Sequence, residues 1–152
     1  MRRRRRECKT DYKLRASLLK SERPRIVIRR TNKHFILQAV ESHEAQDKVI
    51  AGVTSRELLK HGWDEKHKGA LKSIPAGYLT GMLLAKKLGK GKFIIDLGMT
   101  RTHSGNRAFA VVKGLIDGGL EIPADKKAFP SEERLAGKEE IKSMVEKVKS
   151  KL

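Results

Sequence analysis

An α/β fold built on a mixed sheet, with elements in the order β-β-β-α-β-α, is the class the chain predicts. Three observations carry it. Between residues 25 and 55, three short runs rich in β-branched side chains follow one another across turn-sized gaps. From residue 74 the apolar spacing changes from the period of a strand to that of a helix. An almost wholly apolar run at 93–97 then returns to strand, and a second helical pattern follows it. A basic arm precedes this core and a charged tail with an amphipathic helix follows, dividing the chain into residues 1–23, 24–123 and 124–152.

Within the arm, Thr10 is placed to cap a short helix whose Tyr12, Ala16 and Leu19 share one face, and Pro24 stops it. The run 25–31 alternates Ile26 and Ile28 against Val27, as a strand does. Asn32-Lys33 reads as a tight turn into a second strand at 34–41. Residues 48–55 supply a third, so an antiparallel meander is expected, with Ser55 capping a short helical turn after it. The helix at 74–88 lines up Tyr78, Met82 and Ala85, flanked by Leu79, Leu83 and Leu84. Its small residues Ala76, Gly77 and Gly81 let it lie close to a sheet.

The apolar 93–97 reads as a central strand buried on both faces. After a polar loop at 98–106, Phe109, Val112 and Ile116 recur at helical spacing until Gly118-Gly119 ends the helix. Residues 120–123 offer a short last strand. Ile141, Met144, Val145, Val148 and Leu152 form a narrow apolar stripe, the mark of a helix that docks on the body or on a partner.

Charge narrows the function. The 152 residues hold 35 Lys+Arg against 18 Asp+Glu, a net of +17. Residues 1–34 contain 14 of those cations and only three acids, so less than a quarter of the chain holds most of the excess. Such an excess repels itself and is best tolerated against a polyanion, a nucleic acid first and an anionic membrane second. No apolar run approaches the roughly 18 residues of a membrane span. The basic start is not followed by an apolar stretch, so no secretory signal is expected and the expected place is the cytoplasm. Cys8 is the one cysteine, a small spacer within the arm.

Catalytic and metal patterns are weak. His61 and His67 are six apart, which does not put both on one helical face, and His34, His43 and His103 are scattered. Gly89 and Gly91 precede a strand, whereas a dinucleotide fingerprint follows one. The strand and helix order also resembles the ribonuclease H-like layout, whose members cleave through clustered carboxylates and metals. Its first strand needs an acid, and 25–31 offers arginines instead. Asp96 stands alone and reads as a loop organiser. No enzyme and no cofactor are expected.

Binding patterns are stronger. Arg25, Arg29 and Arg30 bracket the first strand, and Thr31, Asn32, Lys33 and His34 form the turn. Arginine forks onto phosphates and stacks on bases, while Asn and His make directed bonds to bases or 2′-hydroxyls. Four stretches in collinear order then carry a resemblance: "RRRRRECKTDYKLRASLL", "PRIVIRRTNKHFILQ", "AGYLTGMLLAKK" and "GNRAFAVVKGLIDGGLEIP". Together they resemble the archaeal and eukaryotic branch of the large-subunit ribosomal protein family that binds 5S rRNA. That family is numbered eighteen in bacteria and five in eukaryotes.

The resemblance runs from the arm to about residue 130. It implies a ribonuclease H-like core without catalytic acids, and a place in the cytoplasmic ribosome. The implied partners are 5S rRNA, large-subunit rRNA of the central protuberance and neighbouring large-subunit proteins. By carry-over the RNA-facing residues are Arg2, Arg3, Arg4, Arg5, Arg6, Lys9, Tyr12, Lys13, Arg15 and Arg23 of the arm. They continue with Arg25, the turn from Arg29 and Arg30 to His34, and the loop residues Arg101, His103, Ser104, Asn106 and Arg107. Members usually carry glycine where Cys8 stands. The long C-terminal extension of eukaryotic members is missing, which implies the archaeal type. A ribonuclease H-like RNA-processing factor or nuclease is the alternative. The arm is expected to take its order from the RNA it meets.

Overall fold

A computed structural model describes residues 3–43 and 46–151. The arm forms α1 (Arg3–Arg6) and α2 (Tyr12–Leu19); then come β1 (Arg25–Arg30), β2 (Phe35–His43) and β3 (Gln46–Thr54). Two 3-10 segments lead to α3 (Ile74–Leu88), followed by β4 (Ile94–Asp96), α4 (Arg107–Asp117), α5 (Glu132–Ala136) and α6 (Glu139–Lys151). The sheet runs β3-β2-β1-β4, antiparallel except for the β1–β4 pair, which is parallel. This is the expected mixed sheet with helices.

Strand alternation decides the first layer. Ile26 and Ile28 pair with Ala39 and Leu37, and together with Phe35 and Val53 they are buried. That face packs on Leu83, Leu84, Val111, Val112 and Leu115 of α3 and α4. A second core lies on the other side of α3. There Leu58, Trp63, Leu71, Ala76, Tyr78 and Leu79 meet Leu135 of α5 and Val145 and Val148 of α6. The C-terminal stripe therefore docks on the body; Leu152 lies outside the described residues.

Several expectations change. β4 is an edge strand bonded to β1 alone, and its three residues are half-buried. Residues 120–123 contribute a single parallel bridge, Glu121 to Lys92, instead of a strand. The small residues of α3 serve a helix more than a sheet. A Cβ at Gly77 would touch Phe35 of β2, but one at Gly81 would come closer than 3.0 Å to the Val111 carbonyl of α4. Both misplaced caps are off by one residue. Asp11, not Thr10, caps α2 by accepting from the N–H groups of Lys13 and Leu14. Thr54, not Ser55, opens the first 3-10 segment, with Glu57 accepting from its N–H. Ser55 is buried instead, accepting from Phe35 N–H and donating to the Leu71 carbonyl. α2 has ended, and Glu22 has turned the chain with φ of 53°, before Pro24 is reached.

A candidate nucleic-acid interface on the arm side

Two carboxylates organise the cations around β1. Asp47 of β3 accepts from Arg25 Nη2 at 2.6 Å and from Arg15 Nη2 at 3.0 Å. Asp96 of β4 accepts from Arg29 Nη2 at 3.0 Å and from Gly98 N–H at 2.8 Å, with Arg25 Nε 3.9 Å away. Arg25 also donates to Ser42 Oγ and is only 5% exposed. It was expected to face RNA and is instead a structural clasp joining β1 to β2, β3 and β4. Asp96 does organise a loop, accepting from the Gly98 N–H and tying Arg29 to β4.

The clasp has a pH signature. Partial burial pushes the Asp47 carboxyl up, but hydrogen bonds from Ser42 and Arg25 and the Arg25 and Arg15 charges outweigh it and hold the pKa below the ordinary value. A depressed folded-state pKa means the stabilisation is present above the unfolded value of about 4 and fades as pH falls through the folded one. In urea melts, the parent is expected to exceed Asp47→Asn in midpoint near neutrality. The gap should close progressively below about pH 4; a gap independent of pH would refute the ionic clasp.

Two depressions flank the end of β1. The first lies between the arm and the sheet, lined by Arg4, Lys9, Thr10, Tyr12, Arg15, Arg29 and Arg30 and by residues 97–100. Arg4 Nε donates to Thr10 Oγ1 at 2.9 Å, which folds the arm back on itself. Cys8 makes the bend with φ of 52°. That region costs a non-glycine residue about 1 kcal/mol. The second depression shares Arg30, Met99 and Thr100 with the first and adds Arg101, His103, Arg107 and Arg134.

The remaining expected residues fall into two groups. Arg3, Arg5, Arg6, Lys13 and Arg23 are exposed outside these linings, and Arg2 lies outside the described residues. Some polar groups are already committed. Ser104 Oγ donates to the Lys127 carbonyl, and the Asn106 amide caps α4 at the N–H groups of Ala108 and Phe109 while donating to the Arg101 carbonyl. At the turn, Thr31 Oγ1 donates to the His34 carbonyl at 2.8 Å and accepts from His34 N–H at 3.0 Å. Thr31 and His34 thus hold the turn, and Asn32 and Lys33 are exposed at its tip. Burial, and then the Arg56 charge, lower the His34 pKa.

Sequence reasoning missed Met99 and Arg134. Met99 is an apolar side chain inside a polar loop and is 59% exposed, a signal that was available. Arg134 gave none, because only the tertiary fold brings it to this face.

Comparison with known proteins decides what the surface belongs to. The family model described as "Ribosomal large subunit proteins 60S L5, and 50S L18" matches residues 1–93 and 87–125. The chain belongs to this family. Relatives of the L18 type agree over most of their length. A large ribosomal subunit protein uL18 of Methanoregula boonei is 46% identical over 138 residues, 89% of this chain and 77% of its own. One from Korarchaeum cryptofilum is 44% identical over 149 residues, covering 96% and 74%. One from Caldivirga maquilingensis is 43% identical over 139 residues, covering 89% and 65%. All three sources are archaeal, in line with the archaeal type. An L18-type chain is a structural constituent of the large subunit, not an enzyme. The family model's match stops at residue 125, whereas the alignment with the Korarchaeum cryptofilum protein runs on through α5 into α6.

Proposed function

We propose that the chain binds 5S rRNA and ties it to neighbouring large-subunit rRNA in the central protuberance of the cytoplasmic ribosome. One observation carries this reading: two adjoining depressions share Arg30 and are lined by cations from the arm, β1 and the loop before α4. A ribonuclease H-like layering of the core belongs to the same proposal. Its support is the strand order β3-β2-β1-β4, with β4 parallel to β1 and with α3 and α4 packed on one face.

Affinity comes mainly from phosphates. About eight cation–phosphate contacts correspond to a log–log salt slope of roughly −6 to −7. Specificity is assigned to the tip of the turn. Asn32 presents both donor and acceptor there, and the Thr31–His34 bonds hold the tip in shape before RNA arrives. Asn32→Ala is expected to lower the preference for 5S rRNA over unrelated RNA about five- to tenfold, the worth of one directed contact. The salt slope should not move. Filter binding with both RNAs over a salt series measures this; an equal loss for the two would remove the turn from specificity.

A further inference from the structure

The arginines of the two depressions differ in what answers them. In the first, Arg15 and Arg29 are paired with Asp47 and Asp96. In the second, Arg30, Arg101, Arg107 and Arg134 converge from separate parts of the chain, and no carboxylate lines the depression with them. Among the described residues, none of these four has an ion pair. Like charges gathered in one concavity repel each other unless an anion enters.

Arg134 is the informative member. It sits on α5 beside Glu132 and Glu133, yet it bonds neither and reaches across to the loop before α4. Gly105 makes the room: its φ is +69°, and a Cβ there would fall 2.8 Å from Arg134 Nη1. Two segments thus seat a guanidinium that, among the described residues, has no ion-pair partner. α4 also opens on this depression through Arg107 and Ala108, adding the positive end of an 11-residue helix.

We propose that this depression is a second phosphate-backbone site for an RNA strand, with Arg134 as a ligand supplied from α5, outside the residues that the family model matches. The inference rests on the RNA-binding reading above and extends the grip into the C-terminal layer. RNA is favoured over an acidic protein segment because the depression continues into the first through Arg30, Met99 and Thr100. One strand can therefore follow both. A guanidinium fork also matches phosphate geometry.

The full chain, assayed by filter binding with 5S rRNA and with polyuridylate across a salt series, tests it. Arg134→Ala is expected to weaken both RNAs about tenfold and to flatten the salt slope by about 1. Arg134→Lys, which keeps the charge, should retain the slope. Lys142→Ala, beside Tyr78 and Asp117 in a different depression, should behave as the parent. Because the Arg134 side chain is exposed, the alanine variant should melt with the parent, which separates lost contact from lost fold. Unchanged RNA binding by Arg134→Ala, in a parent that binds, overturns the inference alone. A parent that binds neither RNA overturns the RNA-binding reading and this inference with it. Loss of polyglutamate capture with RNA affinity intact would reassign the depression to an acidic protein partner.

Discussion

Deleting residues 2–6 from the full chain is expected to lower affinity for every RNA, cognate or random. It should flatten the log–log salt slope by about 3.5–4.5, the counterions of five phosphate contacts. Carried from 1 M to physiological salt, that slope change amounts to a loss on the order of a thousandfold. The structure explains why the loss should be general. Arg3–Arg6 carry no buried residue, and among the described residues their side chains pair with Glu7 and Thr10. A four-residue helix is also far too short to hold itself together. These arginines therefore offer exposed charge, which meets the phosphates of any sequence alike. The same exposure supplies a control, since the deletion removes nothing from either core and the melting temperature should stay with the parent. A loss confined to 5S rRNA would show that the arm recognises sequence or shape, and would overturn this division of labour.

The largest effect on stability is expected at Gly114. A Cβ there would fall closer than 3.0 Å to the Tyr78 carbonyl oxygen, which belongs to the backbone of α3 and cannot swing aside. Gly81 faces the α4 backbone in the same way, so the two helices cross with glycine set against main chain on both sides. Glycine inside a helix costs about 1 kcal/mol relative to alanine. Here close approach offsets that cost, because it lets the layer bury Leu83, Leu84, Val111 and Leu115 against the sheet. Gly114→Ala should force the helices apart and destabilise by about 3 kcal/mol or more. For a chain of this size that lowers the melting temperature by roughly 6–12 °C. Gly69→Ala has nothing within 4 Å of the added carbon and should change stability by less than about 0.5 kcal/mol. Equal melting of the two variants would refute the crossing contact.

Local signals were legible where chemistry is local. The tight turn at Asn32-Lys33 joins strands that pair as the alternation requires. α3 spans the expected residues because Ser73 caps its start, Pro75 suits the first turn and Gly89 follows its end. The caps that slipped had two competent neighbours, Thr10 beside Asp11 and Thr54 beside Ser55, and only geometry chooses between them. β4 was misplaced because an apolar run looks the same at the centre of a sheet as at an edge covered by other chain. Arg25 was misread for a similar reason. An arginine at the start of a strand reads the same whether it meets phosphate or carboxylates brought from β3 and β4. Long-range juxtaposition also hid Arg134.

α3 has, in effect, no outside. From Pro75 to Ala85 every residue but Met82 is buried, with the sheet and α4 on one side and α5, α6 and the 3-10 segment on the other. Neither of its hydroxyls needs water: Thr80 turns back to the Ala76 carbonyl of its own helix, and Tyr78 donates to the Asp117 carboxylate of α4. The usual freedom of a domain's helices to vary on a wet side is therefore withdrawn here, and each of these positions must satisfy two neighbourhoods at once. Tolerance for change is pushed to the last turn, where Lys86 and Lys87 reach water.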